Sequence, residues 1–226
     1  MNSSSFQRQF VEFLGTAGLL AIVVGSGIMA ERLSSGNNGV ALLANTLATV
    51  AGLFVLITVF GAISGAHFNP VVTIVALIHG EISAADAIGY VTAQIIGAIA
   101  GTCIANLMFD LPLVFLSSRP RSGVGQWTGE FVATFGLVGV IIAMSRQQRS
   151  IPLIAAAVAS WIAAAYWFTS STSFANPAVT IARSLSDTFA GIRPNDVMPF
   201  IAAQFAGGLA AAFIFHRLIP KEKNGT

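Results

Sequence analysis

The sequence predicts an all-α integral membrane fold: six transmembrane helices plus two re-entrant half-helices, arranged as an inverted repeat. Three observations predict it. First, 55% of the 226 residues are hydrophobic and 9% are charged, with a mean hydropathy of +0.79. Soluble domains carry about 25% charged residues, so this chain cannot cover a water-facing surface and the bilayer is its solvent. Second, six apolar runs are long enough to cross a hydrocarbon core of about 30 Å, and two more are too short. Third, three sequence pairs recur in the same order along the chain. Lipid offers no partner to backbone N–H and C=O groups, so spans are helices or closed barrels. Period-two alternation is absent, which leaves helices.

The six long runs cover residues 10–30, 40–63, 87–109, 127–144, 151–168 and 197–215. The opening MNSSSFQRQF has no apolar core and no small-residue cleavage site follows it. The first run is therefore expected to stay as a span and not act as a leader. The two short runs, 70–79 and 177–185, each begin with proline. Ten helical residues are about 15 Å long, half the core. Such segments, in matching positions of two halves, point to a site at the midplane. Residues 117–125, with Arg119, Pro120 and Arg121, read as an external connecting loop.

The halves match residue by residue. EFLGT at 12–16 is answered by EFVAT at 130–134, NPVVTI at 69–74 by NPAVTI at 176–181, and YVTAQ at 90–94 by FIAAQ at 200–204. Three pairs in register indicate an internal duplication. Residues 1–226 are thus expected to form one domain with repeats at about 1–115 and 116–226. Each half holds three spans, an odd number, so the second copy is inverted. Arg8, Arg146, Arg149, Arg217, Lys221 and Lys223 fall on one side, and Arg32, Arg119, Arg121 and Arg193 on the other. That bias places both termini in the cytoplasm. Gly97 and Gly101 are a close-packing pair in the third span, with Gly208 and Ala212 as a weaker counterpart in the sixth.

Several function classes are excluded. Cys103 is the one cysteine, so neither an intramolecular disulfide nor a cysteine metal cluster can form. A net charge of +2 reflects cytoplasmic loop bias and not a nucleic-acid partner. No Ser/His/Asp set or His/Cys/Glu metal set falls at a common depth, so the chain is read as no enzyme, with no cofactor and no nucleotide. An inverted-repeat secondary transporter remains the alternative, but apart from Glu12 and Glu130 the spans offer no ion-coordinating group.

The two Asn-Pro pairs carry the chemistry. Asparagine is a favoured N-cap, and proline suits the first helical position because its missing N–H needs no partner there. Asn69-Pro70 and Asn176-Pro177 are therefore helix starts. Each side-chain oxygen can accept from its own first turn, which leaves the amide NH2 with two donors for an oxygen at the centre of a pore. Each start also carries about half a positive charge from its helix dipole, which disfavours cations at the midplane.

SGAHFNPVVT at 64–73 and SFANPAVT at 173–180 resemble the two Asn-Pro-Ala boxes of the major intrinsic protein (aquaporin/aquaglyceroporin) family. The resemblance implies an aquaporin-like fold and passive, bidirectional diffusion of small neutral solutes through each protomer of a homotetramer in a bacterial inner membrane. It implies a pore centre of Asn69, Pro70, Val71, Asn176, Pro177 and Ala178. It implies acceptor carbonyls from Gly65, Ala66 and His67 and from Thr172, Ser173 and Phe174. Glu12 and Glu130 resemble the buried glutamates that support the re-entrant loops, and Gln94 and Gln204 are expected to join them. His67 reads as a vestibule-lining residue more than a pH gate, and His79 and His216 receive no function. Trp127, Trp161 and Trp167 read as interface anchors or core residues.

The chain departs from the family pattern at two places. Val71 stands where the first box has alanine, and Val179 stands where the family has arginine after the second box. Counting ungapped from the asparagines puts the selectivity filter at Thr49, Ala164, Ser173 and Val179. All four are small or medium and uncharged, which predicts a wide constriction that passes solutes larger than water. Arg183, four residues beyond Val179, reads as a snorkelling or tetramer-edge arginine; the other reading is that it restores positive charge in the outer vestibule. An arginine-less filter resembles that of the AqpS-like bacterial subgroup found in arsenic-resistance operons. This implies arsenite-type metalloid hydroxides and methylated arsenicals among the permeants.

Overall fold

The computed structural model describes residues 3–219; Lys221 and Lys223, counted above for orientation, lie outside them. Six long helices meet the length and hydropathy of membrane spans. They are α1 (Ser5–Leu33), α2 (Asn38–Ser64), α4 (Ala84–Met108), α5 (Val124–Arg146), α6 (Ile151–Phe168) and α8 (Pro194–Leu218). Between them lie the half-helices α3 (Pro70–Ile78) and α7 (Pro177–Arg183). Among the described residues there is no strand, only an isolated bridge between Phe115 and Ser186.

Both half-helices start as the Asn-Pro pairs require. Asn69 and Asn176 are extended N-caps, and proline occupies the first turn of each. The Asn69 side chain accepts from Val71 N at 2.9 Å, and the Asn176 side chain from Ala178 N at 3.0 Å and Val179 N at 3.3 Å.

The packing repeats across the two halves. Helix α1 packs on α4, and α5 on α8. The contact is backbone against backbone. A Cβ on Gly97 would stand 2.4 Å from the carbonyl oxygen of Phe13, and one on Gly207 would stand 2.2 Å from that of Phe131. The counterpart of Gly97 in the sixth span is thus Gly207. The sequence reading that chose Gly208 was one residue out of phase. Gly208 faces the half-helix instead, 2.2 Å from Val71 Cγ1 for an added Cβ.

The connection between α4 and α5 is ordered against the one that follows α7. Phe115 N and Ser117 N donate to the carbonyls of Leu185 and Ser184. Ser118 N donates to Asp187 at 2.9 Å, and Arg119 pairs with Glu31. Of the tryptophans, Trp167 is exposed on the helical surface, while Trp161 turns inward and donates to Ala133 O at 2.9 Å.

Candidate functional site

Two buried glutamates shape the site. Glu12 and Glu130 are both fully buried. Glu12 accepts from Ser64 Oγ (2.6 Å), His67 N (3.0 Å), Phe68 N (2.7 Å) and Gln94 Nε2 (2.8 Å). Glu130 accepts from Phe174 N (2.9 Å), Ala175 N (2.8 Å) and Gln204 Nε2 (2.6 Å). Each glutamine spends its second N–H on a half-helix threonine: Gln94 on Thr73 at 2.9 Å and Gln204 on Thr180 at 2.8 Å. A buried carboxylate needs several donors to offset lost hydration, and here the loop backbone supplies them.

The same bonds orient the loops. In a planar trans peptide the carbonyl of one residue points opposite to the next N–H. With the N–H groups of His67 and Phe68 turned to Glu12, the carbonyls of Ala66 and His67 point away from it. The carbonyls of Ser173 and Phe174 likewise point away from Glu130. The geometry needs left-handed backbone at Ala66 (φ 49°), Phe68 (φ 48°), Ser173 (φ 53°) and Ala175 (φ 49°). Each such non-glycine residue costs on the order of 1–3 kcal/mol, and such strain persists only where surrounding bonds over-determine it.

The half-helix tips are tied to each other. Asn69 Nδ2 donates to Ala175 O at 2.8 Å, and Asn176 Nδ2 donates to Phe68 O at 2.7 Å. One amide N–H of each asparagine is therefore spent across the repeat boundary. The sequence reading left both donors free; the tertiary contact leaves one.

A cavity of about 360 Å³ follows these tips. At one end its wall holds His79, Glu81, Ser145 and Arg146; in the middle Asn69 and Asn176; at the other end Thr49, Tyr166, Ser173, Val179 and Arg183. Gly65, Ala66, His67 and Phe174 line it as well. Facing the loops is an apolar wall that includes Ile57, Leu137, Ile141, Ile154 and Val158. Pro70, Val71, Pro177 and Ala178 are buried beside the asparagines but outside the wall. Thr172 is also outside it and accepts from Arg121 Nη1 at 3.4 Å. Helices α4 and α8 contribute nothing to the wall; they brace it from outside.

Two readings from spacing are corrected here. Ala164 is exposed on the outside of α6, while Ile162 and Tyr166 line the cavity. Residues four apart share a helix face and residues two apart do not, so counting across the 169–175 loop missed the cavity-facing phase by two. Tyr166 is 4% exposed, and its hydroxyl donates to Thr49 Oγ1 at 3.3 Å. The cavity wall at this level therefore contains an aromatic ring. Arg183 is not at a lipid-facing edge: it is 2% exposed, and its guanidinium lies over the Phe174 ring, 3.4 Å from the centroid. Arg121, read as a loop charge, is held inward by the carbonyls of Gly191 (2.7 Å) and Ser171 (3.2 Å). Burial pushes its guanidinium down to about 10, which leaves it charged at neutral pH.

Some contacts had no sequence signal. His67 Nδ1 lies 3.1 Å from Thr73 Oγ1, with its ring against Tyr90. The rings of His79 and His216 meet at 4.6 Å, and Arg146 reaches the His216 ring. Apart from His67 with Thr73, these contacts join elements far apart in sequence, so no local pattern pairs them.

Six membrane-length helices around two half-helices whose capped tips meet at a cavity fit a membrane channel. Comparison agrees: residues 1–172 match the family described as Major intrinsic protein, and the chain belongs to that family. It is 50% identical over 214 residues to Aquaglyceroporin AqpS of Rhizobium meliloti (strain 1021), covering 94% of this chain and 90% of the relative. It is 31% identical over 231 residues to Probable aquaporin TIP3-2 of Arabidopsis thaliana, covering 95% and 84%. The fold is similar to the X-ray structure of the aquaglyceroporin from Plasmodium falciparum, with a TM-score of 0.72, 21% identity and coverage of 96% and 97%. The protein is a membrane channel and not an enzyme.

Proposed function

We propose that the cavity conducts small uncharged solutes through a filter formed by Thr49, Tyr166, Ser173 and Val179. The solute class is water, glycerol-like polyols, and arsenite-type metalloid hydroxides with their methylated forms. The observation that carries this is the composition of the wall at that level: three hydroxyls on Thr49, Tyr166 and Ser173, and an apolar side chain at Val179. Hydroxyls exchange hydrogen bonds with a neutral solute at little net cost, and the apolar wall opposite accepts its C–H or methyl face. Asn69 and Asn176 then offer one N–H each at the midpoint. Neutral arsenite is a triol of roughly glycerol shape, and the relative named Aquaglyceroporin AqpS supports polyol-sized permeants.

The same reading puts the chain in a bacterial inner membrane as a homotetramer, with both termini in the cytoplasm and two inverted repeats in one domain. Swelling of proteoliposomes with a panel of water, glycerol, larger polyols and arsenite tests it. Flux proportional to solute concentration, without a proton gradient, is expected. Saturation at low concentration, or dependence on a gradient, would favour a secondary transporter.

A further inference from the structure

The outer end of the cavity carries a buried charge that no carboxylate among the described residues contacts directly. Arg183 closes α7 and lines the cavity. Its Nε donates to the carbonyl of Ala190, and its guanidinium is stacked on Phe174. A planar group held on one edge and one face has a fixed direction. Among the described residues no carboxylate pairs with it, and no hydrogen bond occupies its Nη atoms. Those donors remain for the cavity. Ser173 Oγ, in the same wall, is buried and likewise without a partner.

A second guanidinium reinforces the charge. Arg121 lies over the same Phe174 ring, 4.9 Å from the centroid, but its donors are spent on the Gly191, Ser171 and Phe189 carbonyls and on Thr172. Arg121 thus adds potential without reaching a solute. Two like charges flank one ring at the mouth of a narrow cavity with apolar walls, where field lines are focused. An unpaired buried charge is costly, and it is tolerated here because one side of Arg183 faces the cavity and the Glu130 carboxylate lies within electrostatic reach.

We propose that Arg183 is the specificity-determining residue of the outer mouth: it repels cations, hydronium included, and its Nη donors, with the Ser173 hydroxyl, receive the lone-pair oxygen of an entering neutral solute. The proposal rests on the solute pathway argued above and adds what guards it. Val179, one turn inward on the same helix face, contributes no charge, so the barrier stands one turn outside the constriction.

The test measures glycerol swelling and potassium and proton flux on the same proteoliposomes. Wild-type protein without glycerol flux would sink the pathway reading itself, whatever the variants do. Given that flux, Arg183→Gln keeps an N–H donor and removes the charge. It should raise the ratio of cation to glycerol permeability by roughly tenfold or more, while Arg183→Lys keeps the wild-type ratio. Ser173→Asp, which suits the left-handed backbone there, neutralises the charge in place and should raise the ratio as well; it carries the test if Arg183→Gln does not fold. Ser173→Ala should lower glycerol flux with cations still excluded. Cation flux at the wild-type level in a folded Arg183→Gln or Ser173→Asp channel would overturn the proposal.

Discussion

The Tyr166 hydroxyl donates to Oγ1 of Thr49 at 3.3 Å, joining α6 to α2 in the cavity wall. Both residues are buried, 4% and 3% exposed, and the ring of Tyr166 supplies the bulk at that level. Tyr166→Ala is expected to widen the passage and admit polyols longer than glycerol. Tyr166→Phe keeps the width, loses one hydrogen bond worth about 1 kcal/mol, and leaves the size cut-off in place. A polyol series in stopped-flow swelling separates the two. An unchanged cut-off in Tyr166→Ala would remove Tyr166 from the filter.

Val179→Arg puts a second long side chain into the wall within one turn of Arg183. The passage should narrow, with water flux kept and flux of glycerol-sized or larger solutes suppressed. The variant should also be less stable, because two like charges share a low-dielectric site. Wild-type glycerol uptake in the variant would refute the placement of Val179 at the constriction.

The glutamates differ by one donor. Glu12 accepts a hydroxyl bond from Ser64 in addition to two backbone N–H groups and a glutamine. Replacing either by glutamine turns an NH2 toward groups that already donate, at about 1–3 kcal/mol for each donor left unpaired. Glu12→Gln is expected to lower the thermal midpoint in detergent more than Glu130→Gln does, and both should reduce water flux by loosening the loops. Equal midpoints in both variants and wild type would contradict the network.

Gly97→Ala and Gly207→Ala force a Cβ against the carbonyls of Phe13 and Phe131. Overpacking of this kind costs about 1–3 kcal/mol, and flexible side chains cannot relieve it because the obstacle is backbone. Gly125→Ala is the control: its added Cβ would meet only Ser170 Oγ at 3.7 Å. Thermal melts of the three variants should show large, large and negligible losses.

The number of spans, both half-helix starts and the partners Glu12, Glu130, Gln94 and Gln204 were legible in the chain. Each leaves a local or repeated mark: an apolar run of fixed length, proline after asparagine, a carboxylate in a span. Legibility failed where a count had to cross an irregular loop. Seven residues of loop between α6 and Asn176 put the count on the exposed Ala164 instead of the cavity-lining Tyr166, and one residue of helical phase moved the packing glycine from Gly207 to Gly208.

The sequence by itself determined the solvent, the spans and the paired asparagines, because burial in lipid and N-capping act within a single segment. Tertiary structure alone decided which atoms meet. It spent one N–H of each asparagine on the opposite loop, turned Arg183 inward onto Phe174, and brought Arg121 to the same ring. The asparagine bonds and the Arg121 contact join residues more than fifty positions apart, such as Arg121 with Phe174, so no single segment encodes them. Arg183 and Phe174 share one short segment, but the turn of that loop into α7 is held by Glu130 from another helix.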